Sequence, residues 1–414
     1  MAWSVLSHGA FICGTIPPMK KIHVVFHDGG GGHRNAAVAL QTVISQQQRD
    51  WQIELIQFQD LTDRLDILRK LTGIRIQQLY NMLLQNGWTL GSTQLLRVLQ
   101  TAIRIFHRPL VNLLEEFWRE KPADLLVSVI PHFNRQICES WSKVYPGRPF
   151  VTIVTDLADF PPRFWIEPIK DQNVIAGTEK AADQAKAMGH NTAHIFRTSG
   201  MILRPDFYES DNSEPVALRR EMGLREDLPT AIVLFGGHGS KVMYGITERL
   251  NAAGLPLQLI LICGRNEELA AMLHARQWQT PIHVVGFTKE VHQLMRAADF
   301  LIGKPGPGSI AEAMVRNLPV LIECNAWTLP QERYNAEWVK EKGVGIVLNS
   351  FDDVAEGVKR MLEPAALATF RRNVAAQENR AVFEIPEILA KLLGEAHQDA
   401  GPKSKLVPGS KVRN

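Results

Sequence analysis

The sequence predicts an α/β protein built from two doubly wound units, and three observations carry that expectation. Short apolar runs alternate with stretches of helical periodicity along most of the 414 residues. Several of those runs end in a glycine-rich turn that opens a helix, which is how parallel sheets present ligand sites at the carboxyl ends of their strands. Near the middle, Arg204–Asp227, with Pro205, Pro215 and many charges, interrupts the alternation and separates two β/α series. The chain therefore divides into an extension at 1–18, a first Rossmann-like domain at 19–203, a linker at 204–228, a second Rossmann-like domain at 229–396 that includes the closing C-terminal helices, and a basic tail at 397–414. A chain of this length is expected to hold about two domains, each large enough for its own core.

Composition bounds the function. Apolar and charged fractions of 45% and 21% are those of an ordinary globular protein, and a net charge of +3 is too small to argue for nucleic acid. Cys13, Cys138, Cys263 and Cys324 are widely spaced and form no C-x-x-C pair, which argues against a disulfide framework or a zinc site and fits a reducing cytoplasm. No apolar run reaches the ~18–20 residues needed to span a bilayer. Ala2–Cys13 is mildly apolar but has no preceding positive charge and no cleavage pattern, so it does not read as a signal peptide.

In the first series, Ile22–Phe26 reads as a buried parallel strand ending in His27-Asp28-Gly29-Gly30-Gly31-Gly32-His33, with a helix following through Ala36, Ala37, Leu40 and Ile44. The loop is not G-x-G-x-x-G, so it does not point to a dinucleotide. Its distinctive residue is His33 at the mouth of the loop, which local pattern alone leaves equally open as a capping residue or a catalytic one. Trp51–Phe58 alternates as a strand. The stretch from about Leu61 to Trp118 is helical and unusual: from Arg69 to Leu110 it holds no Asp or Glu. There Arg69, Lys70, Arg75, Arg97, Arg104 and Arg108 interleave with apolar residues and Trp88, a pattern suited to an anionic membrane surface. Asp124–Ile130 ends in Pro131-His132-Phe133-Asn134, and Phe150–Thr155 leads into Asp156. His132, Asn134, Thr155 and Asp156 are thus expected at the cleft. Asn173–Ala176 and His194–Phe196 complete the series.

In the second series, Ala231–Phe235 precedes Gly236-Gly237-His238-Gly239-Ser240, and Leu257–Cys263 precedes Gly264-Arg265-Asn266. Ile282–Val285 leads to Gly286-Phe287-Thr288, and Asp299–Ile302 leads to Gly303-Lys304-Pro305-Gly306-Pro307-Gly308-Ser309, after which Glu312 falls one turn into a helix. A glycine turn at a helix N-terminus lets free N–H groups face an anion. Pro319–Glu323 is followed by Gln331-Glu332 and Asn335, Val344–Leu348 is the last strand, and helices are expected at Phe351–Leu362 and about Ala366–Ala396.

Taken together, Gly30–His33, the Gly-Gly-x-Gly loop, Cys263–Asn266, Gly286-Phe287, Lys304–Ala313 and Gln331-Glu332 with Asn335 resemble the GT-B glycosyltransferases of the family 28 type. The resemblance is strongest to the monogalactosyldiacylglycerol synthase family and runs from about Lys21 to Leu393. It implies two Rossmann-like domains facing across a cleft, and an inverting hexosyltransferase that moves galactose or glucose from a UDP-sugar to a membrane lipid, diacylglycerol above all, to give a β-glycoside. Glu312 is then implied to bind the ribose. Gly306, Pro307, Gly308 and Ser309, with Lys304 and the loop of Gly237, His238, Gly239 and Ser240, surround the diphosphate. Gly286 and Phe287 meet the uracil, Arg265 offsets phosphate charge, and Gln331, Glu332 and Asn335 serve the donor sugar. His33, titrating near neutrality, would be the general base with Asp28 or Asp156 orienting it. Gly30, Gly31, Gly32, Pro131, His132 and Thr155 would line the acceptor side. No cofactor is required and a divalent cation is not indicated, while its need is left open; the partners are the UDP-sugar, the lipid acceptor and an anionic lipid surface, and the location is cytoplasmic and peripheral to the membrane. Departures from the family pattern fall on the acceptor side: Gly29 stands where Thr or Ser is frequent, Leu-Ala-Asp-Phe-Pro-Pro follows Asp156, and His132 follows Pro131 instead of preceding it. The other readings weighed are an N-acetylglucosaminyltransferase-like enzyme, a GT-B UDP-sugar epimerase or hydrolase, and a nucleotide-sugar-binding regulator.

Overall fold

The computed structural model of the protein describes residues 19–28, 31–62, 101, 103–170, 172–209 and 214–395. Gly30, Arg69, Lys70, Arg75, Trp88 and Arg97 lie outside the described residues. The apolar runs form two six-stranded sheets, all parallel. The first holds β1 Lys20–Phe26, β2 Trp51–Gln57, β3 Leu125–Ser128, β4 Phe150–Val154, β5 Gln172–Ala176 and β6 Ile195–Arg197, in the order β2-β1-β3-β4-β5-β6. The second holds β7 Thr230–Leu234, β8 Gln258–Ile262, β9 Ile282–Val285, β10 Phe300–Gly303, β11 Val320–Glu323 and β12 Gly345–Leu348, in the order β12-β11-β10-β7-β8-β9. Continuous apolar runs suit such strands because helices cover both faces of a parallel sheet.

Each order reverses once. In the first sheet the chain runs from β1 out to β2, then returns to pair β3 on the other side of β1, with Val24 opposite both Leu55 and Val127. In the second it runs β7, β8, β9 and then returns to place β10 beside β7. The crevice at such a switch point is where open α/β sheets bind ligands. The His27–His33 and Pro131–Asn134 segments follow β1 and β3, and the Gly236–Ser240 and Lys304–Ser309 segments follow β7 and β10. Topology alone therefore brings four sequence-picked loops to two crevices.

The C-terminal helices depart from the expected single element at 366–396. They form Pro364–Ala375 and Ala381–Leu392, broken around Gln377-Glu378-Asn379. The second of these does not close the second domain. Ala381, Ile385 and Leu389 are buried against Ile22, Val24, Leu40 and Ile44 in the core of the first sheet. The segment 204–228 is likewise more than a linker: Phe207, Leu218 and Leu224 are buried in the second-domain core, and Arg219 pairs with Asp299 at 2.8 Å. Phe58, expected to end the second strand, instead opens a short helix.

The crossing is pinned. Glu384 accepts from both the backbone N–H and the hydroxyl of Ser199, each at 2.7 Å, and Ser199 Oγ accepts from the N–H of Arg380 at 2.7 Å. A side chain at Gly200 would meet the Asn379 side chain at 2.6 Å, so that amide packs directly on the Gly200 backbone where the chain crosses back. Beside them Leu157, Met201, Leu203 and Ala311 form a small apolar cluster that joins the two domains.

Candidate active site

On the first-domain side, Gly31 adopts φ 83 as the N-cap of the Gly32–Gln46 helix. This left-handed turn is open to glycine and swings His33 into the crevice. His33 Nδ1 lies 3.2 Å from the Thr155 hydroxyl, and its ring stands 4.2 Å from that of His27 and 5.6 Å from that of Trp165. Burial lowers the His33 imidazole to about 4, partly opposed by a hydrogen bond to the Val129 carbonyl. The ring is therefore neutral at physiological pH, below the near-neutral titration that its residue type suggests. A neutral imidazole that donates to a carbonyl keeps one acceptor nitrogen.

The carboxylates expected to orient His33 are engaged elsewhere. Asp28 pairs with Arg34 at 3.1 Å at the exposed rim. Asp156, 7% exposed, accepts from the Trp165 indole at 2.8 Å. The side chain that His33 meets is that of Thr155, and Trp165, which touches both the His33 ring and the Asp156 carboxyl, was not singled out in the sequence. Only its tryptophan identity, nine positions beyond Asp156, hinted at a buried N–H needing an acceptor. Asp159, also missed, is fully buried and accepts from the backbone N–H groups of Arg163 and Trp165 at 2.9 and 2.6 Å. It holds the loop that carries Phe164 and Trp165 into the site.

His132 occupies a left-handed backbone conformation, φ 70. Its N–H donates to the Phe164 carbonyl at 2.6 Å and its ring meets the Phe164 edge at 4.3 Å. Pro131 is buried just before it. Three histidines thus converge on one crevice. Even so, among the described residues no group of three or more His, Cys, Asp or Glu side chains is arranged to hold a metal ion.

On the second-domain side the loops interlock through glycine. Gly239, at φ 62, has no room for a side chain: a Cβ would sit 2.3 Å from the Cys263 carbonyl oxygen. Gly264, at φ 58, is the reciprocal case, with the Gly237 oxygen 2.4 Å from any Cβ. The Arg265 N–H then donates to the Gly237 carbonyl at 3.0 Å, which ties the loop after β8 to the loop after β7. Gly237 is exposed, and His238 and Ser240 are half-buried on the same turn. The Arg265 guanidinium lies 4.8 Å over the exposed Phe287 ring, beside Gly286.

After β10, Gly306 caps the Pro307–Val315 helix with Pro307 in its first turn. Proline suits that place because the N–H it lacks would have no helical partner. Ser309 Oγ donates to the Gly306 carbonyl at 3.1 Å, and the space beside Gly308 is open. Lys304 Nζ pairs with Glu332 at 2.6 Å, and Glu332 is 7% exposed. Asn335, wholly buried, donates to the Pro305 carbonyl at 2.7 Å and so braces this loop from the next helix. Gln331 is half-buried one position before Glu332. Burial raises Glu312 to about 7, with Arg204 pulling it down and Asp206 pushing it up.

The two halves meet across the crevice. Burial raises Asp156 to about 7; its indole bond and Lys304 lower it, while the Glu332 charge raises it further. Thr155–Asp156 of the first domain and Lys304–Glu332 of the second are therefore electrostatic neighbours.

Two parallel-sheet domains with glycine-loop crevices turned toward each other are the GT-B architecture. Residues 231–384 match the glycosyltransferase family 28 C-terminal domain. The chain is 28% identical over 409 residues to monogalactosyldiacylglycerol synthase 1, chloroplastic, of Arabidopsis thaliana, covering 94% of this chain and 72% of that one. To the chloroplastic monogalactosyldiacylglycerol synthase of Spinacia oleracea it is 29% identical over 404 residues, covering 90% and 73%. Among solved structures, HepE of Anabaena in complex with UDP-glucose shares the fold with a TM-score of 0.51 and 16% identity, covering 90% of this chain and 99% of that one. The protein is a glycosyltransferase with the GT-B fold, similar over most of its length to the monogalactosyldiacylglycerol synthases.

Proposed function

We propose that the enzyme transfers a hexose, galactose or glucose, from a UDP-sugar to the free hydroxyl of diacylglycerol with inversion, forming a β-glycosyl glycolipid. The observation that carries this reading is the pairing of the neutral His33–Thr155 corner with the Lys304–Ser309 anion turn across one crevice. The names of the similar synthases supply the lipid class and the hexose, and a UDP-glucose complex on the same fold supports the donor class.

In this reading the acceptor hydroxyl displaces Thr155 from His33 and gives its proton to the acceptor nitrogen of the ring. Its oxygen bonds the anomeric carbon from one face as the bond to the β-phosphate oxygen breaks on the other, which inverts the centre. Charge then builds on UDP. The N–H groups of Gly308 and Ser309, the helix N-terminus, Lys304 and Arg265 meet it with preorganised positive potential, so no divalent cation is required. Lys304 leaving Glu332 for the diphosphate would free Glu332, with Gln331, for sugar hydroxyls, and Glu312 would take the ribose.

Membrane attachment rests on exposed residues at the start of the His107–Glu120 helix. Ile105 and Phe106 are 70% and 39% exposed between Arg104 and Arg108. Among the described residues no helix is long and apolar enough to cross a membrane. Such a basic and apolar rim fits an anionic lipid surface, which would deliver the acceptor.

Incubation with UDP-galactose, UDP-glucose and UDP-N-acetylglucosamine in diacylglycerol-containing vesicles, with the product's mass and anomeric proton coupling read out, tests this. A β-hexosyl diacylglycerol is expected. Release of free sugar or an epimerised nucleotide sugar, without a lipid product, would overturn it.

A further inference from the structure

The acceptor side carries an unused polar group. His132 Nδ1 is buried and has no hydrogen-bond partner. The same residue holds φ 70, a conformation that disfavours a histidine, and is fixed there by its N–H to the Phe164 carbonyl at 2.6 Å. Backbone strain and an unsatisfied buried nitrogen are both destabilising, and both fall on one residue at the end of β3, at the same switch point as His33. A group maintained at such expense in a cleft is poised for a ligand atom.

The chemistry of that atom follows from the acceptor assigned above, on which this inference rests. Diacylglycerol has one hydroxyl, and His33 takes its proton. Its remaining polar atoms are ester oxygens, which only accept. Burial and the nearby His33 push the His132 imidazole down to about 4, so the ring is neutral and has one N–H to give. We propose that His132 is the specificity residue of the acceptor pocket, donating from Nδ1 to the carbonyl of the acyl ester beside the attacked hydroxyl. His132 would thereby distinguish an acylated glycerol from other lipid alcohols of the same length.

The test compares diacylglycerol with the matching dialkylglycerol, which keeps the hydroxyl and both chains but lacks the carbonyls, in the same vesicles. Because φ at position 132 is positive, His132→Gly removes the ring without new strain, and His132→Asn tolerates the conformation while placing an amide near the position of Nδ1. Wild type should prefer the diester by about tenfold in kcat/KM, a single hydrogen bond's worth. His132→Gly should use both lipids equally, and His132→Asn should recover part of the preference. UDP binding and thermal midpoint report whether each variant is folded. A variant-free readout is the ¹⁵N histidine spectrum of the wild type, in which one Nδ1 signal should move with the diester and stay with the diether. Equal use of both lipids by wild type, a preference that survives in folded His132→Gly, or a spectrum blind to the ester would each overturn the assignment of His132 while leaving the transferase reading intact. Absence of transfer to either lipid with any UDP-hexose would overturn both.

Discussion

At the scale of single residues, the site combines groups that burial keeps neutral. His33→Ala should abolish transfer while UDP affinity, measured by calorimetry, stays within about twofold, because its contacts are on the first-domain side. Titration of the same groups sets the pH dependence of stability. Asp156 titrates at about 7 in the folded protein and at about 3.9 in an unfolded chain. Its stabilising contribution is thus complete below the unfolded value and is lost as pH rises through about 7. His33 and His132 work in the opposite sense. Their folded values of about 4 lie under the unfolded value of about 6.5, so stability falls as acid protonates the unfolded chain first. Asp156→Asn should therefore remove a loss of stability spread between about pH 4 and 7, so that the thermal midpoint rises more steeply with pH there than in wild type while the slope above about pH 8 is unchanged. A variant with the same slope as wild type across that range would show that another group dominates it.

At the scale of elements, the glycine loops act as interlocking parts. Gly264→Ala puts a methyl group against the Gly237 oxygen and forces alanine into a left-handed conformation. It should lower the thermal midpoint and weaken UDP binding at least about tenfold, since displacing the turn after β7 moves the donors proposed to surround the diphosphate. Loops of this kind were legible in the sequence because strand-glycine-helix punctuation survives without any tertiary knowledge. Lys304, Gly306 and Ser309 were found that way and Glu332 through the resemblance, and the structure brings the four together around Gly306. What periodicity could not convey is which side chains a loop turns toward one another. Asp28 and Asp156 were natural partners for His33 by residue type, yet Arg34 and Trp165 claim them. The left-handed backbone at His132 was equally hidden, since nothing in Pro131-His132 demands it. Burial was invisible too, and with it the low titration of His33.

For the whole molecule, the alternation of strands and helices conveyed two doubly wound units, but not how they are joined. An amphipathic helix reads the same whichever sheet it covers, so Ala381–Leu392 was assigned to the wrong one. Its return across the molecule suggests that Ser199–Glu384 governs how the domains sit. Glu384→Ala should lower the thermal midpoint by several degrees, in line with losing hydrogen bonds to a charged group worth about 1.5–3 kcal/mol each. It should also broaden the distribution of shapes seen by small-angle scattering. The proposed membrane rim belongs to this scale as well. Replacing Arg104 and Arg108 with Gln should reduce flotation with anionic vesicles and leave transfer to detergent-dispersed acceptor intact, and unchanged flotation would move the contact elsewhere.

The returning helix also has a consequence for synthesis. A ribosome releases the first sheet early, yet Ile385 and Leu389, which cover part of its core, emerge about 190 residues after β6, which ends at Arg197. During that interval the apolar face of the nascent first domain is left uncapped, at a stage when exposed apolar surface invites aggregation. The nascent chain should therefore engage chaperones until Ala381–Leu392 has emerged. A ribosome stalled before residue 381 should hold a first domain open to protease, and one stalled well beyond residue 392 should hold it closed.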